Sequence, residues 1–211
     1  FFEFFITAAQ GKGYSESLKN EIKNTLSLVK NKNNISTILD IGANKGEYTE
    51  NLLKYFPKSK YYLFEPSESN FKFLNQKFSG HKNIKIFKVA LSDCNGDADL
   101  FSDKEGSGLA SLTKRRLEHF DTDFNYSEKV KVVRLDAFLK QELNNNIVDY
   151  CKIDVEGHDL RVLNGFGSLL KNFKVIQFEF GGCNIDNKTF FQDFWYFFKD
   201  KKFELFRISP S

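Results

Sequence analysis

Three ionisable side chains stand within five residues in KIDVEGHDL: Asp154, Glu156 and His158. Side chains of these types, placed together in a turn, could move protons to and from a reacting group. His158 would titrate near neutrality if a carboxylate held it. His158 is the first candidate for a general base, with Glu156 or Asp154 orienting it. Asp154 or Glu179 is the alternative base. Glu179 stands in VIQFEFGGCN, and an acid inside an apolar strand pattern needs a partner or a function. It could line a substrate pocket beside the Asp154–His158 turn.

A second group lies in ILDIGANKGEYTE, residues 38–50. An apolar strand ends at Asp40, Gly42 follows, and Gly46 opens a helix. Glycines there let the backbone approach a ligand, and a helix start supplies free N–H groups. The spacing is D-x-G-x-x-x-G, not the G-x-G-x-x-G that seats a dinucleotide pyrophosphate. Asp40 would point into the same crevice, repel a pyrophosphate and welcome an ammonium and a sulfonium. That favours S-adenosylmethionine over NAD. Glu65, in YLFEPSESN, would end the next strand and accept hydrogen bonds from both ribose hydroxyls. In VALSDCNGDADL, Ala90 and Leu91 can pack on an adenine face, while Ser92 and Asp93 bond its edge.

The elements that must position these groups follow an alternating pattern of short apolar strands and helices. That pattern argues for a parallel sheet with helices on its faces. An amphipathic helix is expected over 14–30, from Leu18, Ile22, Leu26 and Val29. Strands are expected at 38–41, 61–64, 84–89, 147–153 and 175–180. Helices are expected at 46–55, 67–78, 158–170 and 189–198, with a last strand at 203–208. Residues 98–102 and 130–135 could form an antiparallel pair. The polar stretch between them, 103–128, reads as a lid, a binding loop or a short helix. Its Lys114, Arg115 and Arg116 could hold an anionic group or face solvent. The aromatic run from Phe190 to Phe198 reads as core and interface packing. His81 and His119 read as surface residues.

The chain has 211 residues, 25 of them Phe and 8 Tyr, enough to build one packed core. Residues 1–34 read as a helical segment packed on a domain spanning 35–211. Mean hydropathy is -0.44, and no apolar run approaches the roughly 18 residues of a membrane span. The opening FFEFFITAAQ lacks the basic region of a signal peptide. Net charge is only +3 and the charges are scattered, so no electrostatic footprint for nucleic acid is present. Cys94, Cys151 and Cys183 are far apart and form no CxxC, so a reducing cytoplasm is the simplest setting. Asp154, Glu156 and Glu179 could hold a hard divalent cation such as Mg²⁺, but no ligand spacing requires a metal.

Taken together, DIGANKGEYT, FEPSESNFKFL, VALSD, VVRLDAFL, DYCKIDVEGHDLRVLNGF and QFEF resemble the FkbM family of S-adenosylmethionine-dependent methyltransferases. The resemblance spans roughly residues 36–208. It implies a Rossmann-like class I methyltransferase fold, α/β, with a mostly parallel central sheet, helices on both faces and a reversed C-terminal strand at 203–208. It implies cofactor contacts from Asp40, Gly42, Ala43, Asn44, Gly46, Glu65, Ala90 and Ser92, with Asp154, Glu156 and His158 at the reacting centre. It also implies methylation of a hydroxyl on a small molecule or sugar, with bacterial cell-surface glycans among the acceptors. A Rossmann-type NAD oxidoreductase and a non-catalytic adenosyl-binding scaffold are the competing readings. Phe1, Phe2, Phe4, Phe5 and the aromatic helix could supply a homodimer surface.

Overall fold

The computed structural model describes residues 18–27, 29, 35–143 and 147–207. The first helix, α1 (Leu18–Ser27), falls inside the expected 14–30 segment. Residues 1–17, with the Phe-rich start, lie outside the described residues.

Five strands form the central sheet: β1 (Thr37–Ile41), β2 (Lys60–Phe64), β3 (Ile84–Phe87), β7 (Tyr150–Ile153) and β8 (Ile176–Phe178). Their order is β3-β2-β1-β7-β8 and every pairing is parallel. Parallel strands are covered on both faces, which is why they read as continuous apolar runs. Alternation then assigns each side chain to a layer. Ile38, Tyr61, Leu63 and Tyr150 pack against α1, α2 (Glu47–Tyr55) and α3 (Glu68–Lys77). Leu39, Ile41, Tyr62, Phe64, Cys151 and Ile153 face the other way. They pack against α4 (Leu135–Leu143), α5 (Asp159–Gly165) and α7 (Phe191–Lys199).

A second sheet joins β4 (Ala90–Ser92), β6 (Tyr126–Arg134) and β5 (Gly96–Ser102), with β6 between the other two. The expected antiparallel pair is β5 and β6. Leu135 does not extend β6; it starts α4, and Leu135, Leu139 and Leu143 line one helix face. Helix α5 packs close to β4. A Cβ at Gly165 would come 2.0 Å from the Ser92 carbonyl oxygen.

Two expectations change. The helix expected at 158–170 stops at Gly165 and continues as a 3-10 turn, Gly167–Asn172, because Gly167 turns left-handed at φ 51°. No reversed strand forms over 203–207, and Ile208 lies outside the described residues. Phe203 and Leu205 instead pack against the core, so their alternation serves packing, not a ladder. The aromatic helix is only partly core. Phe194 and Phe198 are buried and stack on Phe178, whereas Phe190, Phe191, Trp195 and Tyr196 are exposed. A short helix, α6 (Cys183–Asp186), precedes it. Among the described residues no helix is long and apolar enough to cross a membrane.

Asp149 fastens the start of β1 to β7. Its Oδ2 accepts from the Ser36 and Thr37 backbone N–H groups, at 2.8 and 3.0 Å, and from the Ser36 hydroxyl. Burial pushes this carboxyl up, but Lys174 and the Ser36 and Thr37 donors outweigh it and hold it below 3.8. Asp149→Ala is expected to cost about 1–3 kcal/mol in urea unfolding at pH 7, since it strands the buried Thr37 N–H. The folded carboxyl binds protons less readily than the unfolded one. The Asp149 contribution is therefore full above about pH 4 and lost as pH falls through the folded value. The gap between wild type and variant should narrow at pH 3.

Candidate active site

The carboxyl ends of β1, β2 and β7 open into one cleft, the usual place for ligands in such sheets. Ile41, Phe64, Val89, Ala90, Leu91 and Leu100 give it apolar walls. Gly42, Asn44, Glu65 and Asn70 border one end, and Asp154, Glu156 and His158 the other. Ser107, Gly108, Ala110 and Leu112 border it from the 103–125 segment. Three carboxylates border the cleft, with neither Lys nor Arg among its lining residues.

The turn after β1 is shaped by its neighbours. Gly42 and Ala43 donate their N–H groups to the Phe64 carbonyl. Gly42 has φ 81°, and a Cβ there would lie 1.9 Å from the Asp154 carbonyl oxygen, so only glycine fits. Glu65 is buried. Its Oε2 accepts from the Asn44 N–H at 2.8 Å and its Oε1 from the Ser67 N–H at 3.0 Å. Burial raises its pKa to about 7 despite these donors. The Asn70 amide donates to Asn44 Oδ1, tying α3 to the turn.

Not every residue expected at the cofactor borders the cleft. Gly42, Asn44, Glu65, Ala90 and Leu91 do. Ala43 is buried in the α1–α3 layer, and Gly46 packs against Leu74 and Phe78. Asp40 does not point into the crevice. One residue short of the strand end, alternation turns it to the α2 face, fully buried. There its Oδ2 accepts from the Thr49 hydroxyl at 2.6 Å. Ser92 is buried, and its hydroxyl meets His158 Nε2 at 2.9 Å.

The proposed reacting centre divides in two. His158 precedes α5 and bonds to Ser92; no hydrogen bond joins it to Asp154 or Glu156. Burial, helped by Arg161, lowers its pKa to about 4. Asp154 instead receives Lys152 Nζ at 2.8 Å and a hydrogen bond from Glu179. Lys152 and this bond hold the Asp154 carboxyl low against burial. Glu179 is exposed, and the Asp154 charge, with Glu156 beside it, pushes its carboxyl up. The pair therefore shares one proton at neutral pH, and it rests on Glu179. Glu156 has φ 52°, unusual for a side chain larger than glycine.

Arg115 is the second cation of this region. Its Nη1 lies 2.7 Å from Glu156 Oε2 and its Nε 3.1 Å from Asp186 Oδ2. The Ser111 hydroxyl donates to the Glu156 carbonyl at 2.9 Å, and the Thr113 hydroxyl to Asn187. Residues 103–125 are thus fastened onto the reactive turn, while Lys114 and Arg116 are exposed. Lys152 and Asn70 were absent from the sequence-based set, and Arg115 holds an anionic group of the protein itself, Glu156. A lone lysine inside the apolar strand YCKI was the one available signal. Glu156, Glu179 and Cys183 bring ligand atoms within 4.8 Å of one another. The Cys183 sulfur in this group suits Mg²⁺, which takes oxygen ligands, poorly.

Residues 40–205 match the family model described as the Methyltransferase FkbM domain. The chain belongs to the FkbM methyltransferase family. Methyltransferase 1 of Beauveria bassiana (strain ARSEF 2860) is 23% identical over 144 residues, covering 62% of this chain and 58% of that protein. The plantazolicin methyltransferase BpumL, solved with S-adenosylhomocysteine, is 14% identical with a TM-score of 0.41, covering 79% of this chain and 48% of that one. A methyltransferase from Aquifex aeolicus gives 15% identity and a TM-score of 0.46, covering 93% and 88%. The chain thus spans less than two thirds of the first two relatives.

The FkbM turn makes a direct prediction for its histidine. His158 should show no imidazole inflection by NMR between pH 5.5 and 8. Folding favours its neutral ring, so this contribution to stability is full above about pH 6.5 and is lost as pH falls toward about 4.

Proposed function

We propose that this chain uses S-adenosylmethionine to methylate a hydroxyl of a small molecule or sugar. Family membership supports methyl transfer, and the cleft supports the cofactor. Its apolar walls suit a flat base, and Glu65 suits ribose hydroxyls. Glu65, Asp154 and Glu156 border the cleft and no Lys or Arg lines it, which opposes a pyrophosphate, although Lys152 pairs with Asp154 and Arg115 with Glu156. The Gly42–Asn44 turn would hold the remaining end. Bound there, S-adenosylmethionine supplies a methyl group made electrophilic by its sulfonium.

The observation that carries the hydroxyl reading is the Asp154–Glu179 pair. A hydroxyl must lose its proton as it attacks. Asp154 is ionised and borders the cleft, so it can accept that proton while Glu179 remains its hydrogen-bond donor. A base placed this way contributes roughly 10²–10⁴-fold. His158 is a weaker candidate, because its ring is occupied by Ser92. Its role is to join α5 to β4. A bacterial cell-surface glycan or its precursor is the acceptor class suggested by the family resemblance.

Calorimetry should show micromolar binding of S-adenosylmethionine and S-adenosylhomocysteine, and none of NAD. Absence of both adenosyl ligands would overturn the reading. Glu65→Ala should weaken S-adenosylhomocysteine about 10–100-fold, the loss of a charged hydrogen bond. With an acceptor found by screening hydroxyl compounds, Asp154→Asn should lower turnover roughly 10²–10⁴-fold and leave S-adenosylhomocysteine affinity within about threefold.

A further inference from the structure

Lys152 is the central charge of a polar cluster on the α1–α2 face of the sheet. In register across β1 and β7 it sits beside Asp40, and both side chains take the same face. Its ammonium lies 4.6 Å from the centre of the Tyr48 ring and 2.8 Å from Asp154 Oδ2. Only 12% of its side chain is exposed. A buried lysine keeps its charge only when fixed partners replace water. Here they come from four elements. Tyr48 is itself held in place. Its hydroxyl donates to Gln177 Oε1 at 2.7 Å, and Tyr150 bonds to the same two groups. From α1, the Thr25 hydroxyl donates to Gln177 Oε1 at 2.9 Å and Glu21 accepts from the Gln177 amide. Strands β7 and β8 and helices α1 and α2 thus set where the ammonium can sit.

We infer that Lys152 is a positioning residue: held by the Tyr48 face, it keeps Asp154 ionised and aimed at the cleft, and so leaves the shared proton on Glu179. The inference rests on the reading of Asp154 as proton acceptor. Around Asp154 stand Asp40 from β1, Glu21 from α1, and Glu156 and Asp159 from its own turn. Glu179 approaches from beyond β8. Asp40, Glu21, Glu156 and Asp159 are acids whose negative charge would drive a proton onto Asp154, whereas Glu179 opposes this by donating to it. Arg115 neutralises Glu156 at the cleft side. Lys152 is the cation that touches Asp154 itself, so its removal leaves only the Glu179 hydrogen bond to offset them.

The test reads the carboxyl directly. Protein labelled with ¹³C at Asp and Glu carboxyls is titrated by NMR, with Asp154 assigned from the Asp154→Asn spectrum. In wild type, Asp154 should stay ionised down to pH 5. In Lys152→Met its inflection should rise by at least one pH unit, and Lys152→Arg should restore most of the shift. A purely structural role would leave the inflection in place. If Lys152→Met does not fold, wild type still decides, because an Asp154 inflection above pH 5 overturns the inference. An unchanged inflection in folded Lys152→Met does the same. Calorimetry of wild type with S-adenosylhomocysteine runs alongside. Failure to bind would remove the functional reading, whereas the titration judges Lys152 independently.

Discussion

No side chain fits between Gly42 and Asp154. The carboxyl ends of β1 and β7 approach so closely that a Cβ would meet a carbonyl oxygen at 1.9 Å. The Asp154 N–H closes the gap by donating to the Ile41 carbonyl at 3.0 Å. Everything at the site inherits its placement from this contact. It sets the Gly42–Asn44 turn beside the Asp154–His158 turn. It lets Glu65 reach the first turn from β2, and it opens the cleft where both strands stop. The bend is built into the backbone, so the site does not wait for a ligand to form its outline.

On that frame the charges are arranged in layers. Acids dominate the reacting end, and two cations meet them from opposite directions. Lys152 comes from within the sheet and touches Asp154; Arg115 comes from the 103–125 segment and touches Glu156. Each carboxylate is therefore given a different state. Asp154 is held ionised, Glu179 is held protonated, and Glu156 is raised to about 7 by burial and Asp154 against the pull of Arg115. Environments that separate the pKa values of adjacent acids assign them different tasks.

Much of this frame was legible in the chain, for physical reasons. The strands are buried on both faces, so they appear as unbroken apolar runs. Glycines and prolines mark where those runs end. Residues 203–207 misled, because alternating apolar residues can pack under a helix as well as pair in a ladder. Leu135 misled in the opposite direction, since one leucine can close a strand or open a helix. Asp40 was misplaced because a one-residue difference at a strand end reverses the face. The Ser92–His158 contact joins residues 66 apart in sequence, and no local pattern announces it. Arg115 stands between two basic neighbours that face solvent, so its inward turn is visible only once the segment is folded.

The depth of Lys152 has a further consequence, for ionic strength. Mobile ions screen exposed charges over about 8–10 Å in ordinary buffers, but they screen buried pairs far less. Exposed contacts such as Glu68 with Lys72 and Lys88 should fade as salt is added. In the Lys152–Asp154 contact, Lys152 is enclosed beneath the Tyr48 ring, while the Asp154 side chain is 36% exposed and meets the cleft. Added salt should therefore weaken the outer ion pairs more than the Lys152 contact, while ions that enter the cleft still reach Asp154.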